Sequence, residues 1–532
     1  MKTKFWLLGI VTALVACDKD DTPEVVTGEI KNDAEALAVS AGVYPSLQVL
    51  SSSFSFVIES ATEGTISFEG AEEEPGPVVS RFETEPTTWY PVKIFNNLYI
   101  SISAANDAIE RVPKAEAVSE ATKKLAVGRA KFVRALDYLY LVQLFGEVPL
   151  ILNPGEASTT RASIDDVYTQ IVNDLTEAKE LLPEYDASPI TPSALAADAL
   201  LARVYLVWSY KPLSQGEVSS IASGSVDPAP VTPEASLLQK AVEHADNVIN
   251  SGKYSLLGDF TQLFGRENES KAPEHIITIH HDGDAYDAQG NHQTHCAFTF
   301  AFELEQDNHI GPSDVNLYQE WTTADPADVV RRDWSYTTYV ENPLEDNKGY
   351  HYVPPVTLAR FGKGVDRSYE NSVNHAITTN EVDRIELRYA EVLLIRAEAL
   401  AQLGRNAEAL STVNQIRQRA GATLLTTITP EDIQREWGYE FVYEQKHWLN
   451  LVRWRTLIAS VKKIAGFEHF DDSYAVSGGI GRDGEVVSPF FAKVHKHLHA
   501  KYDNVRGKHY RFPIPTGLKG EDLHITPQNP GY

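Results

Sequence analysis

A mostly α-helical body is the fold class this sequence predicts, and three observations carry the prediction. Apolar residues recur at three- and four-residue spacing in several long runs, as amphipathic helices require. Gly or Pro stands at the ends of those runs, where helices stop. Two consecutive runs between Ile385 and Gly421 are joined by a tight glycine-containing turn, as in a tetratricopeptide-type hairpin. Residues 265–382 break the pattern: short alternating or aromatic runs and many turn signals predict a large irregular region with a few short strands.

In chain order, Lys2 and Lys4 precede the uncharged run Phe5 to Ala16. That run suits the apolar part of an export signal and falls short of the roughly 20 residues of a membrane-spanning helix. It ends in Leu14-Val15-Ala16-Cys17, which resembles the bacterial lipobox, where the cysteine thiol is acylated and becomes the first mature residue. An ordinary signal peptide with a chance cysteine is the alternative, but only Cys17 and Cys296 occur in the whole chain. Residues 1–16 are therefore expected to be a lipoprotein signal peptide, residues 17–31 a lipidated flexible tether, and residues 32–532 one body. Two or more acyl chains anchor a protein stably without spanning the bilayer. With Cys17 acylated, Cys296 has no intrachain partner and is expected to be a small buried residue.

Within the body, helical scaffold is expected over about 90–264 and 383–465, the irregular region between them, and a C-terminal segment over 466–532. Ala121 to Phe145 carries Ala126, Ala130, Val133, Leu136 and Tyr140 on one stripe, with Gly146 as C-cap. Val167 to Leu182 is a second helix, closed by Pro183; Pro192 and Ser193 open a third, reaching Tyr210. Leu237 to Asn250 is a fourth. The stretches Glu69 to Val79 and Ser214 to Glu234 read as surface loops. In the hairpin, Leu387, Ala390, Leu394, Ala397 and Ala401 form one stripe, Gly404 ends it, Asn406 caps the next helix, and Gly421 closes it. Ala397 and Ala409 are small enough for close approach, although any antiparallel helical hairpin shares these features and none of them is chemistry.

Composition and motifs narrow the function. Loss of Lys2 and Lys4 with the signal takes the formal charge from −27 to −29, which repels nucleic acid and anionic lipid. There is no G-x-S-x-G elbow, H-E-x-x-H or P-loop. Glu440 and Glu444, one helical turn apart, read as a solvated face or arginine partners. A glycosidase carboxylate pair assembled only by folding stays open. His275, His280, His281, His292, His295 and Cys296 match no standard zinc spacing. Asp282, Asp284 and Asp287 are weak calcium candidates without the terminal Glu of an EF-hand loop. His495, His497 and His499 suit one strand face or an exposed helix edge. No cofactor is expected.

Several segments together resemble one family, the SusD/RagB group of Bacteroidetes outer-membrane lipoproteins. "GRAKFVRALDYLYLVQLFGEVPLIL", Gly128 to Leu152, is similar to the family's long helix and its aromatic-Gly-x-x-Pro corner. Arg161 to Pro183, Ala241 to Phe264, Arg388 to Gly404, Val413 to Gly421 and the end Tyr510 to Tyr532 resemble further family segments in the expected order. One departure is visible in "YEQKHWLNLVRW", where Gln445 and His447 stand at positions often Gly and Arg. The resemblance implies a SusD-like fold and non-catalytic capture of a glycan for a SusC-type TonB-dependent transporter. It also implies lipid anchoring on the cell surface at the outer membrane, with Asp18, Lys19, Asp20 and Asp21 as the export signal. Capture of a peptide or glycopeptide, a surface glycoside hydrolase, and a purely structural partner of the transporter are the competing readings.

Sugars stack their C–H faces on aromatic rings and bond their hydroxyls to a few polar groups. Trp89 and Tyr90 follow Pro86 and precede a helix, a place that resembles the family's aromatic platform. Tyr318, Trp321, Trp334 and Tyr336 lie in the irregular region and complete the candidate ligand-binding set. Trp208, Trp437, Trp448 and Trp454 lie on helical patterns and are read as packing residues.

Overall fold

The structure is a computed structural model that describes residues 28–48, 55–63, 65–69, 75–264, 273–280, 309–314, 317–337, 339–341, 349–351, 359–361, 363, 383–463, 497–516 and 524–532. Cys17, Asp282, Asp284, Asp287, His281, His292, His295, Cys296 and His495 lie outside the described residues.

The chain opens with α1 (Asp33–Ala41), short β1 (Thr65–Glu69) and α2 (Pro75–Ser80), followed by the long α3 (Trp89–Arg111) and α4 (Glu120–Phe145). Next come α5 (Ile164–Leu181), α6 (Ala194–Ser209), α7 (Gln215–Ile221) and α8 (Ala235–Asn250). Ser119, Ser163 and Ser193 cap α4, α5 and α6 by accepting a backbone N–H three residues on. Gly146, at φ +78, ends α4. Helix α4 packs against α3 and α5, and α6 against α5 and α8, around one core of Ala, Val, Leu and aromatic side chains.

The body begins earlier than expected. Ile30 is buried among Ala36, Val112, Ala115, Val118, Ala126 and Val127, and Arg111 donates to the Gly28 carbonyl at 2.5 Å. Apolar burial of Ile30 thus docks the end of the anticipated tether. Two expected loops also carry helix. Pro75–Ser80 is helical, with Val79 buried, and Gln215–Ile221 forms behind a reciprocal Ser214/Glu217 capping box.

The middle of the chain supplies β2 (His275–Ile279), β3 (His309–Asp314), α9 (Leu317–Ala324), α10 (Val329–Ser335), β4 (Tyr336–Thr337), β5 (Tyr339–Glu341), β6 (Gly349–His351) and β7 (Ala359–Phe361). Short strands were expected there; the helices α9 and α10 were not. Strands β1, β3, β7 and β4 pair antiparallel in that order, and β5 pairs with β6. Strand β8 (Arg384–Arg388) pairs antiparallel with β2 and leads into the hairpin of α11 (Tyr389–Gln402) and α12 (Asn406–Ala420). Gly404 and Gly421 take φ +77 and +71, and Ala397 and Ala409 are fully buried. Asn406 is the first helical residue, with Arg405 in the cap position, so it does not cap as expected. Helices α13 (Pro430–Glu440), α14 (His447–Trp454) and α15 (Leu457–Lys463) follow, and residues 497–504 form one more helical stretch.

The junction between α9, α10 and the hairpin is held by buried charge. Arg331 bonds Asp328, Glu436 and Glu440; Arg388 bonds Glu274, Glu440 and Glu444; Arg417 bonds Asp325 and Glu436. Buried charges are tolerated when each is paired and hydrogen-bonded in this way. Gln445 adopts φ +61, the left-handed region that favours glycine, and its N–H donates to Glu59 Oε1 at 2.5 Å. His447 pairs with Glu63 at 2.7 Å. The two departures from the family pattern therefore sit at the entry to α14, where they hold Glu59 and Glu63.

Candidate functional site

Thr88 takes an extended conformation and hands the chain into α3, whose first residue is Trp89. Pro91 is tolerated there because first-turn N–H groups have no helical acceptor. The helix start lies at the edge of the core, so Trp89 stays 43% exposed while Tyr90 is half-buried against the core. The two rings meet edge-on, 4.8 Å between centroids at 68°. Lys93, one turn on, places Nζ 4.5 Å from the Trp89 ring centroid. Exposed flat ring, supporting ring and ammonium donor make a small platform that can stack a C–H face and bond a hydroxyl. Lys93 was missed from sequence, although its spacing of four from Trp89 on a helix was the available signal.

The other aromatic candidates separate from this platform. Trp321 is completely buried, its ring stacked on Tyr439 at 4.3 Å and 2°. Its Nε1 donates to Asp328 Oδ2 at 3.0 Å, and the Arg331 guanidinium sits 5.3 Å from its ring. Tyr336 is buried edge-on to the same ring. Neither ring offers a face to a ligand, which corrects their assignment: partners from α13 cover them. Trp334 is half-buried on α10. Tyr318 lies on α9, and its side chain is outside the described residues. Of the tryptophans read as packing residues, Trp437 and Trp448 are buried, and Trp208 and Trp454 are half-buried.

Glu440 and Glu444 are each tied up by buried cations. Burial pushes Glu440 up, but Arg419, Arg388 and Arg331 outweigh it and hold the carboxyl well below the usual range. Glu444 is likewise lowered despite burial, by Arg388 and Lys363. Both are thus buried arginine partners, and the alternative of a solvated face is excluded. Burial pushes His275 down to about 4, leaving a neutral ring whose Nε2 lies 3.0 Å from the Leu263 carbonyl. His280 pairs with Asp383 at 2.8 Å. His497 is buried with Nε2 2.8 Å from Ser80 Oγ, and His499 is exposed. Among the described residues no three His, Cys, Asp or Glu side chains converge as metal ligands. A crevice lined by Gln143, Tyr168, Tyr210, Arg455, Tyr510 and Arg511 holds about 40 Å³, room for water and not for a sugar ring.

A model described as "SusD family" matches residues 278–532, and one described as "Starch-binding associating with outer membrane" matches residues 77–206. SusD-like protein P2 of Formosa agariphila is 26% identical over 464 residues, covering 82% of this chain and 79% of the relative. The starch-binding protein SusD of Bacteroides thetaiotaomicron is 26% identical, over 61% of this chain and 63% of its own. A solved SusD homolog from Bacteroides thetaiotaomicron superposes with a TM-score of 0.71 at 21% identity, covering 95% of this chain and 98% of that one. The surface glycan-binding protein A of the same organism, solved with laminarihexaose, gives 0.65 at 16% identity over 94% and 100% of the two chains.

Proposed function

The chain belongs to the SusD/RagB family and has its fold, and from that premise we propose that it captures a glycan at the cell surface without cleaving it. The observation that carries the reading is the Trp89 platform, where an exposed ring, an edge-on tyrosine and a lysine ammonium meet at the start of one helix. A glycan chain lays the apolar face of one residue on Trp89 and bonds hydroxyls to polar groups around it. The starch-binding name of one relative and the laminarihexaose held by another support a carbohydrate over a peptide. The protein is anchored through acylated Cys17 at the outer membrane and passes its cargo to a SusC-type TonB-dependent transporter. It needs no cofactor, since stacking and hydrogen bonding suffice for capture.

Affinity electrophoresis of the protein through gels containing starch, laminarin or xyloglucan tests this, with a reducing-end assay on the same polysaccharides. Retardation by at least one of them, its loss in Trp89→Ala, and no release of reducing ends are the expected results. Release of reducing ends sinks the non-catalytic reading, and unaltered retardation of Trp89→Ala sinks the site.

A further inference from the structure

Trp89 is the first residue of α3, so its orientation depends on the residues that lead into it. Helix α2 ends with Phe82 N–H bonded to Val79 O at 3.1 Å and Glu83 N–H to Val78 O at 3.0 Å. That paired ending takes a left-handed residue and usually glycine, yet here Phe82 occupies it at φ +58. The ring accounts for the exception. Phe82 is 4% exposed and packs on His509, 5.0 Å between ring centroids.

Other residues of the same distant stretch hold the chain on both sides of Phe82. His497 Nε2 lies 2.8 Å from Ser80 Oγ. Asn504 Nδ2 donates to the Arg81 carbonyl at 3.0 Å and to Glu83 Oε1 at 3.2 Å. The Thr516 N–H donates to the Pro86 carbonyl at 3.3 Å. From there a rigid turn finishes the path: Glu85 N–H donates to Thr88 Oγ1 and Thr88 N–H to Glu85 O, each at 2.9 Å. The Thr88 carbonyl then accepts from Val92 N–H at 3.2 Å, inside α3.

We infer that the C-terminal segment 497–516 is the positioning element of the Trp89 platform, with Phe82 and His509 as its central contact. The inference rests on Trp89 being the stacking residue. A binding ring must be held to about 0.5 Å and 10–20° by its supports to stack productively. Here those supports come from more than 400 residues away in the chain, so the first and last parts of the body build one site together.

Phe82→Gly removes the ring, and glycine's ease in the left-handed region offsets only part of the cost of the lost buried contact. The protein is labelled with 5-fluorotryptophan, and the Trp89 resonance is assigned by its disappearance in Trp89→Phe. In Phe82→Gly that resonance is expected to broaden or shift, and retardation by whichever of starch, laminarin and xyloglucan binds wild type is expected to weaken at least tenfold. Phe82→Tyr restores both, and Asn504→Ala moves the resonance the same way by less. An unchanged Trp89 resonance in both Phe82→Gly and Asn504→Ala overturns the inference. The resonance reads positioning without any sugar, so failure of Trp89→Ala to weaken binding fells the functional reading separately.

Discussion

Trp89 opens α3 with 43% of its surface exposed, whereas Trp321 on α9 is fully covered. Both stand near prolines in polar, turn-rich stretches, and their immediate sequences give no reason to expect different fates. The difference lies in what arrives from elsewhere. Tyr439 covers the face of Trp321, Asp328 takes its N–H, and Arg331 packs beside its ring while bonding Glu436 and Glu440. At Trp89 a neighbouring ring and an ammonium come from its own helix and leave the indole part exposed. A tryptophan becomes a covered post or an exposed ring according to its partners across the fold, and local composition does not encode those partners.

The sharpest way to break that contrast is Trp321→Ala. Deleting a fully buried indole costs about 3–5 kcal/mol, and here Asp328 also loses a donor, so the upper end is expected. The midpoint of urea unfolding measures it, and the folded fraction should keep its polysaccharide retardation. A small stability loss with abolished retardation makes Trp321 the binding ring and reverses the roles. Arg331→Met asks next how far charge holds the post in place. It strips one guanidinium from Asp328, Glu436 and Glu440, all buried, at a cost of about 3 kcal/mol. Stability within 1 kcal/mol of wild type, to order of magnitude, means hydrophobic stacking alone fixes Trp321.

Protons probe the same side of the molecule. Glu59 is buried on the segment held by the Gln445 N–H, and burial, with a smaller push from neighbouring Glu63, raises the carboxyl of Glu320 on α9. Burial pushes Glu59 from 4.5 up to about 7, against the lowering effects of His447, the Gln445 N–H and Lys363. The folded state therefore holds this proton more tightly than the unfolded chain. Its contribution is fully present below pH 4.5 and is lost as pH rises through about 7, on the order of 3 kcal/mol. Lys501, lowered by burial to about 7, acts in the opposite sense: its contribution is full above 10.5 and lost as pH falls through about 7. Urea titrations at pH 5 and pH 7 should show a steeper fall in stability for wild type than for Glu59→Gln. Identical slopes would mean that Glu59 ionises alike in both states.

What was legible in the sequence follows the same division. Helices α4, α5, α6, α8 and the α11–α12 hairpin announce themselves because their stripes face an apolar core and serine caps or glycines mark their ends. Helix α7 was legible too, since Ser214 and Glu217 carry the capping-box spacing, but the low complexity around them hid it. Helices α9 and α10 were not: each is short, and what fixes them is buried ion pairing between Arg331 or Arg417 and acids up to about a hundred residues away. Of the candidate rings, Trp89 stays exposed and Tyr90 half-buried because a helix start at the edge of a core leaves a ring outside. Trp321 and Tyr336 failed because their cover comes from α13.

The smallest expected change in stability belongs to Trp89→Ala, and for that reason it tests the contrast most directly. An exposed ring outside the core contributes little to folding, so urea unfolding should move by no more than about 0.5 kcal/mol. Truncating a central aromatic anchor of a binding surface costs about 2 kcal/mol or more, roughly a thirtyfold loss of affinity. Trp321→Ala is expected to do the reverse, with a large loss of stability and little loss of affinity per folded molecule. If Trp89→Ala costs several kcal/mol of stability, the ring is a packing residue that happens to reach the surface. The exposed half of the indole would then have to be explained by something other than a glycan.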